Sequence, residues 1–184
     1  ALRSRGHEVV VASGGGELES EVGGDGLDHW CVALHTSVEF SPRVAGAART
    51  LSRRLQERPV DVIHAHTRVG QVVADRLCRR RALPYVTTWH GFFRPNLGRK
   101  LWPCTGALTI AISEPVRAHL IRDFRVSPER IRLIPHGIDT ALYESPADPS
   151  AQERLRAQVQ LLLDAPVIGT VARLVPSKGV DQLI

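Results

Sequence analysis

Methionine is absent from this chain, lysine occurs only twice, and aromatic residues amount to 5% of the total. Cysteine is scarce as well: Cys31, Cys78 and Cys104 are three in number, far apart, and without C-x-x-C spacing. That scarcity excludes a disulfide framework and a zinc knuckle, and it suits a reducing, cytoplasmic setting. No apolar run approaches the roughly 18 residues needed for a membrane span, and no basic, apolar and small-residue succession opens the chain as a secretion signal. No internal repeat or low-complexity stretch is present. Carboxylates are outnumbered, 19 against 24 basic residues, giving a net charge of +5 and a pI near 9.7. Because nearly all of that basic charge is arginine, phosphate-bearing partners need weighing. Nucleic acid is set aside: Arg49, Arg53, Arg54 and Arg58 lie on one helix with no stacking aromatic interleaved. A solvated helix face is the plain reading. A patch for peripheral contact with anionic lipid at the inner face of a membrane is the other.

The 184 residues are 43% apolar and 23% charged, a globular composition. A chain of this length buries on the order of 70% of its unfolded surface without staples. Short β-branched runs alternate with helical periodicity throughout. Strands are expected at 8–12, 29–34, 60–64, 85–88, 107–112 and 131–134. Helices are expected near 17–22, at 42–57, where Val44, Ala47, Ala48, Leu51 and Leu55 form one apolar stripe, and at 69–80. Ser113 caps a further helix with Pro115 in its first turn. Strict alternation of strand and helix predicts a doubly wound, Rossmann-like parallel sheet with helices on both faces.

The proline-rich stretch Ser145-Pro146-Ala147-Asp148-Pro149-Ser150 reads as a linker. A charged helix at 152–163, a strand at 167–172, a loop at 176–179 and a helix start at 180–184 are expected after it. Residues 1–8 read as the end of a helix running through Gly6 into a strand, so the fold is expected to be truncated at both ends, with a gap or a rearranged pairing in the sheet where a central first strand would pair.

Six segments, R-G-H-E-V-V-V, D-V-I-H-A-H, A-L-P-Y-V-T-T-W-H-G, I-A-I-S-E, V-S-P-E-R-I-R-L-I-P-H-G-I-D and G-T-V-A-R-L-V-P-S-K-G-V-D, together resemble family 4 of the retaining glycosyltransferases, which have the two-Rossmann-domain GT-B architecture. The resemblance covers essentially the whole chain. It implies an acceptor-side N-terminal domain over 1–140, a linker and helix over 141–165, and the first strand and loop of a nucleotide-sugar-binding domain over 166–184. The implied activity is transfer of a hexose-type unit from a nucleotide-diphosphate sugar to a carbohydrate, lipid or small-molecule acceptor with retention of configuration, needing no metal or other cofactor. A nucleotide-sugar epimerase of the same fold and a noncatalytic nucleotide- or membrane-binding module are the competing readings.

Arg173, at a strand's carboxyl end, and Lys178, in the following loop, stand where open α/β sheets bind ligands, and two cations there suit a diphosphate. The resemblance gives them the same task, neutralising the leaving diphosphate. It also places His90 close to the transferred sugar, with Gly91 letting backbone approach the donor. His64 and His66, two apart on a strand, face one side; lacking a third ligand nearby they make no convincing metal site. His66 is expected to line the acceptor side and His64 to be structural. Gly137 is expected to allow tight backbone beside the cleft, and Ser113 is a candidate donor contact besides its capping role. His136 stands where the family often has Asn, which leaves its role open. Trp89, Phe92 and Phe93 read as packing or as part of an acceptor surface.

Overall fold

The computed structural model describes residues 2–17, 19–24, 26–36, 38–39, 41–144, 148–161 and 166–183. Two compact units divide the chain, Ala1–His136 and Gly137–Ile184. The first unit alternates strand and helix: β1 (Val10–Ser13), α1 (Glu19–Gly24), β2 (Asp28–Cys31), α2 (Pro42–Glu57), β3 (Ile63–Ala65), α3 (Arg68–Arg81), β4 (Tyr85–Trp89), α4 (Leu97–Leu101), β5 (Leu108–Ala111), α5 (Glu114–Phe124) and β6 (Ile131–Leu133). Every strand pair is parallel, as the alternation predicts, because a strand, a crossover helix and a second strand return the chain in the same direction.

Local chemistry sets the helix ends. The Thr67 hydroxyl accepts from Gly70 N at 3.1 Å and opens α3; the Ser113 hydroxyl accepts from Val116 N at 3.4 Å and opens α5, with proline in the first turn. α2 buries Val44, Ala47, Leu51 and Leu55, the expected stripe. The short α4 was not legible in advance: Gly98 lies inside it, and the Asn96 side chain, accepting from Arg99 N at 2.9 Å, starts it. β3 begins at Ile63, later than expected, because its ladder with β4 starts at Tyr85, just after Pro84, which has no N–H to give.

The strands form two sheets, β1-β2 and β3-β4-β5-β6. The interruption falls between β1 and β3, where a gap or a rearranged pairing was expected. Both strands line a cavity of about 400 Å³ there, walled by Val10, Ala12, Leu51, Leu55, Ile63 and Val73. In the larger sheet, the residues in register at Ala65, Thr87, Thr109 and Ile131 share a face with Trp89 and Ala111. α3 covers that face through Ala74 and Cys78, and α5 covers it through Val116, Leu120 and Phe124. Sequential strand order with right-handed crossovers puts both helices on this one side. On the opposite face Val86, Leu108 and Ile110 are half-buried or exposed, while Thr88 is buried, so that face is covered less completely than the first.

A polar network pins α3 to the sheet. Asp75, buried, accepts from the Tyr85 hydroxyl at 2.6 Å, Trp102 Nε1 at 2.6 Å and Arg79 Nε at 2.7 Å. Burial opposes the ionised carboxyl, but these donors prevail and hold its pKa below the ordinary value. Arg68, also buried, donates to Glu39 at 3.0 Å and to the carbonyls of Pro103 and Trp102 at 2.7 and 2.9 Å, and Arg99 reaches the same Glu39.

In the second unit, α6 spans Pro149–Gln158, starting before the expected 152 because Asp148 accepts from Ser150 N at 3.0 Å and caps it. Residues 162–165, the expected helix end among them, lie outside the described residues. The strand expected at 167–172 does not form; residues 166–173 carry no regular structure. A strand is stable only against a neighbour, and the described part of this unit contains no other. Single 3₁₀ turns at Pro176–Lys178 and Val180–Gln182 follow, where a loop and a helix start were expected.

Candidate functional site

At the carboxyl ends of the parallel strands, four histidines form a row. His64 is on β3, His66 one residue past it, and His90 one residue past β4. Ile134 N donates to the Ala111 carbonyl at 2.9 Å, extending the parallel β5–β6 ladder one residue past Leu133, and beyond it the His136 ring stacks on that of His90. The His64 and His66 rings are 4.1 Å apart between centroids, His66 and His90 5.4 Å, and His90 and His136 5.2 Å. Two direct imidazole hydrogen bonds link them, His66 Nδ1 to His90 Nε2 at 3.1 Å and His90 Nδ1 to His136 Nε2 at 3.3 Å. His64 Nε2 is tied to the Thr88 hydroxyl at 2.8 Å.

Burial and ring-to-ring proximity disfavour the charged form of His64, His66 and His90. Partial burial lowers the pKa of His64, and the neighbouring His66 and His90 lower it further; burial and His136 lower His66; burial, His66 and His136 lower His90. An uncharged imidazole in such a chain of rings presents one N–H and one lone pair. Such a chain can orient hydroxyl groups by donating and accepting at once.

The loop after His90 is fastened from behind. Nε2 of His119 on α5 accepts from Phe93 N at 3.3 Å and lies 3.1 Å from the Phe93 carbonyl, and its Nδ1 sits 2.6 Å from Asp123. Arg122, and then His119, hold the Asp123 carboxyl down to about 2. Trp89 is buried and meets Phe93 and Phe124 edge-on, each at 4.8 Å. Packing thus accounts for Trp89 and Phe93, while Phe92 is exposed.

Of the residues singled out from sequence, His66 and His90 come together, and His136 and His64 join them. His64, expected to be structural, is one of the row. The role left open for His136 is its contact with His90, which no spacing in the sequence announces. Ser113 is fully engaged as the α5 cap. A side chain at Gly91 or at Gly137 would meet nothing within 4 Å, so neither glycine is required by crowding among the described residues. Arg173 and Lys178 belong to the second unit and are exposed. Arg173 lies in an irregular segment and not at the carboxyl end of a strand, a correction that follows from the unformed strand; its carbonyl accepts from Val175 N at 2.8 Å. Lys178 closes a 3₁₀ turn that ends on Gly179 at φ +62°. Among the described residues no three His, Cys, Asp or Glu side chains are arranged to hold a metal ion, and no helix is long and apolar enough to cross a membrane.

An all-parallel Rossmann-like unit with a polar row at the carboxyl strand ends has that row where open α/β sheets bind their ligands. The family model "Glycosyltransferase Family 4" matches residues 1–142, and the chain belongs to that family. The chain is 27% identical over 139 residues to the alpha-maltose-1-phosphate synthase of Mycolicibacterium smegmatis, covering 67% of this chain and 36% of that protein. It is 29% identical over 140 residues to a D-inositol 3-phosphate glycosyltransferase of Frankia alni, covering 67% and 33%. The chain therefore spans about a third of the length of these relatives. Among solved structures, a glycosyltransferase from Rickettsia africae superimposes with a TM-score of 0.73 at 19% identity, covering 90% of this chain and 44% of that one. HepE of Anabaena, solved with UDP-glucose, superimposes with a TM-score of 0.72 at 22% identity, covering 95% and 49%. These two likenesses show the fold.

Proposed function

We propose that the whole protein transfers a sugar from a nucleotide-diphosphate donor to a hydroxyl acceptor, with retention of configuration, and that the first unit supplies the acceptor side of the cleft. The observation that carries this reading is the histidine row at the carboxyl strand ends of a family 4 domain, a set of hydrogen-bond donors and acceptors suited to holding sugar hydroxyls. His90 positions the transferred sugar, His66 lines the acceptor side, and Gly91 and Gly137 leave room beside them. Arg173 and Lys178 neutralise the diphosphate as it leaves, where negative charge grows in the transition state. Relatives named for inositol 3-phosphate and maltose 1-phosphate favour a sugar phosphate as acceptor, and the HepE complex favours a UDP-sugar as donor.

The test is release of UDP from UDP-glucose by the whole protein in the presence of sugar phosphates, without added metal. Arg173→Ala or Lys178→Ala should lower kcat by about 10²–10³-fold, the loss typical of one preorganised electrostatic donor. Turnover near wild type in both variants, at saturating donor, would overturn the diphosphate assignment. UDP-sugar consumption without an acceptor, yielding an epimerised sugar, would favour the epimerase reading instead.

A further inference from the structure

Away from the histidine row, α2 and α3 enclose a concave groove of about 720 Å³ lined by Arg49, Arg53, Arg76, Arg79, Arg80 and Arg81. No carboxylate lines it. Arg79 is paired with the buried Asp75, and Arg81 donates to the Ser52 carbonyl and hydroxyl at 2.7 and 3.1 Å. Arg49 and Arg53 on α2 and Arg80 on α3 are exposed and make no hydrogen bond or ion pair among the described residues. A groove that gathers unneutralised guanidinium groups from two helices repels itself, and an anion seated in it removes that repulsion. Arginine forks match phosphate oxygens in pairs.

We propose that this groove seats the phosphate headgroups of an anionic lipid surface. No aromatic side chain lines it, so single-stranded nucleic acid would find no stacking platform. A lipid surface is favoured over a lone soluble phosphate by what adjoins the groove. The Arg76 guanidinium reaches the Trp102 ring, 5.7 Å from its centroid, and Trp102 follows directly on α4. There Leu97 and Leu101 are 74% and 78% exposed, one turn apart, with Lys100 between them. Apolar side chains next to cations are the composition of an interfacial contact, in which the leucines enter the headgroup boundary and the arginines meet the phosphates.

Co-sedimentation with vesicles provides the test. The protein should bind vesicles of phosphatidylcholine mixed with phosphatidylglycerol, leave pure phosphatidylcholine in solution, and release as salt rises. The triple variant Arg49→Gln, Arg53→Gln, Arg80→Gln, whose positions are solvent-exposed, should keep its circular dichroism and thermal midpoint. Each neutralisation should weaken vesicle partition by about fivefold, and all three together by on the order of a hundredfold. A second triple variant, Arg117→Gln, Arg122→Gln, Arg125→Gln, removes equal charge elsewhere and should weaken binding far less. Equal losses in the two triples would mean that net charge acts and not the groove, overturning the proposal. So would calorimetric binding of inorganic phosphate in the groove without vesicle binding, or no binding to either probe. None of these readouts depends on sugar transfer, so they leave the proposed activity to its own test.

Discussion

Two stretches of nearly interchangeable sequence meet opposite fates in this molecule. L-T-I-A at 108–111 becomes β5, with Thr109 and Ala111 fully buried, while V-I-G-T-V-A at 167–172 stays irregular, with Ile168 85% exposed. β-branched content does not separate them. β5 is flanked by β4 and β6 in parallel register and roofed by α5, whereas the second segment has no neighbouring strand in the described part of its unit. What is called β-propensity is therefore fit to a pleated, half-buried surface, supplied by the rest of the fold. The same difference runs through the units as wholes: the first has continuous apolar clusters, and α6 of the second buries nothing.

The sharpest way to break this comparison is to damage the first unit's core. Leu120 on α5 is fully buried among Trp89, Val116 and Phe124. Leu120→Ala should destabilise the first unit by about 2–5 kcal/mol, the sum of lost burial and a residual cavity. Urea denaturation followed by tryptophan fluorescence reads this directly, since Trp89 is in that cluster. A loss below about 1 kcal/mol would show the cluster to be loosely packed.

Next in size is Asp75. Asp75→Ala leaves the Tyr85 hydroxyl and Trp102 Nε1 without their acceptor, which should cost about 1–3 kcal/mol per donor so stranded. The pH dependence has a definite sign. Because the folded carboxyl titrates below its unfolded value of 3.8, its stabilisation is complete above that pH and is lost as pH falls through the folded pKa. His64, His66 and His90, also lowered in the fold from 6.5, act in the same direction: the unfolded chain binds their protons first, so stability declines as pH drops below about 6.5. Thermal midpoints measured from pH 7.5 down to 5 should fall in the wild type and fall less in His66→Gln, His90→Gln; a flat or rising profile would contradict the lowered values.

The fold was legible in sequence wherever an element carries its own signal. The apolar stripe of α2, the proline after Ser113 and the parallel alternation all came through. Tertiary context defeated the rest. α4 hides behind Gly98, and the strand at 167–172 has the right composition without a partner. The site divides in the same way. His66 and His90 could be placed at strand ends from the alternation alone, but the meeting of His90 and His136 depends on the path of the chain after β6, which no local pattern encodes. The Asp75 network draws its donors from α3, β4 and the loop after α4, and no spacing rule joins those three.

Helix caps come third, and they are legible residue by residue. Thr67→Ala removes the acceptor for Gly70 N, and Ser113→Ala the acceptor for Val116 N. Each should cost about 1 kcal/mol. Because Ser113 is also a candidate donor contact, Ser113→Ala in the whole protein distinguishes its two roles. A cap alone lowers stability with KM for the donor unchanged, whereas a donor contact raises KM as well.

The smallest expected effect lies in the second unit, and it tests the comparison most strictly. Val171 is fully exposed and Ile168 nearly so, and neither has a strand partner. Ile168→Ala and Val171→Ala should each change stability by no more than about 0.5 kcal/mol, the range for surface substitutions away from packing, caps or charges. Amide exchange across 166–173 should be fast in the 184-residue protein, since no ladder protects those groups. A destabilisation above 1 kcal/mol in either variant, or protected amides at alternate residues, would mean that the segment does pair as a strand. Composition would then have been the better guide, and the contrast with β5 would collapse. Slow exchange appearing only in a longer polypeptide that supplies neighbouring strands would sharpen the contrast instead, since the same six residues would become a strand once a sheet was there to receive them.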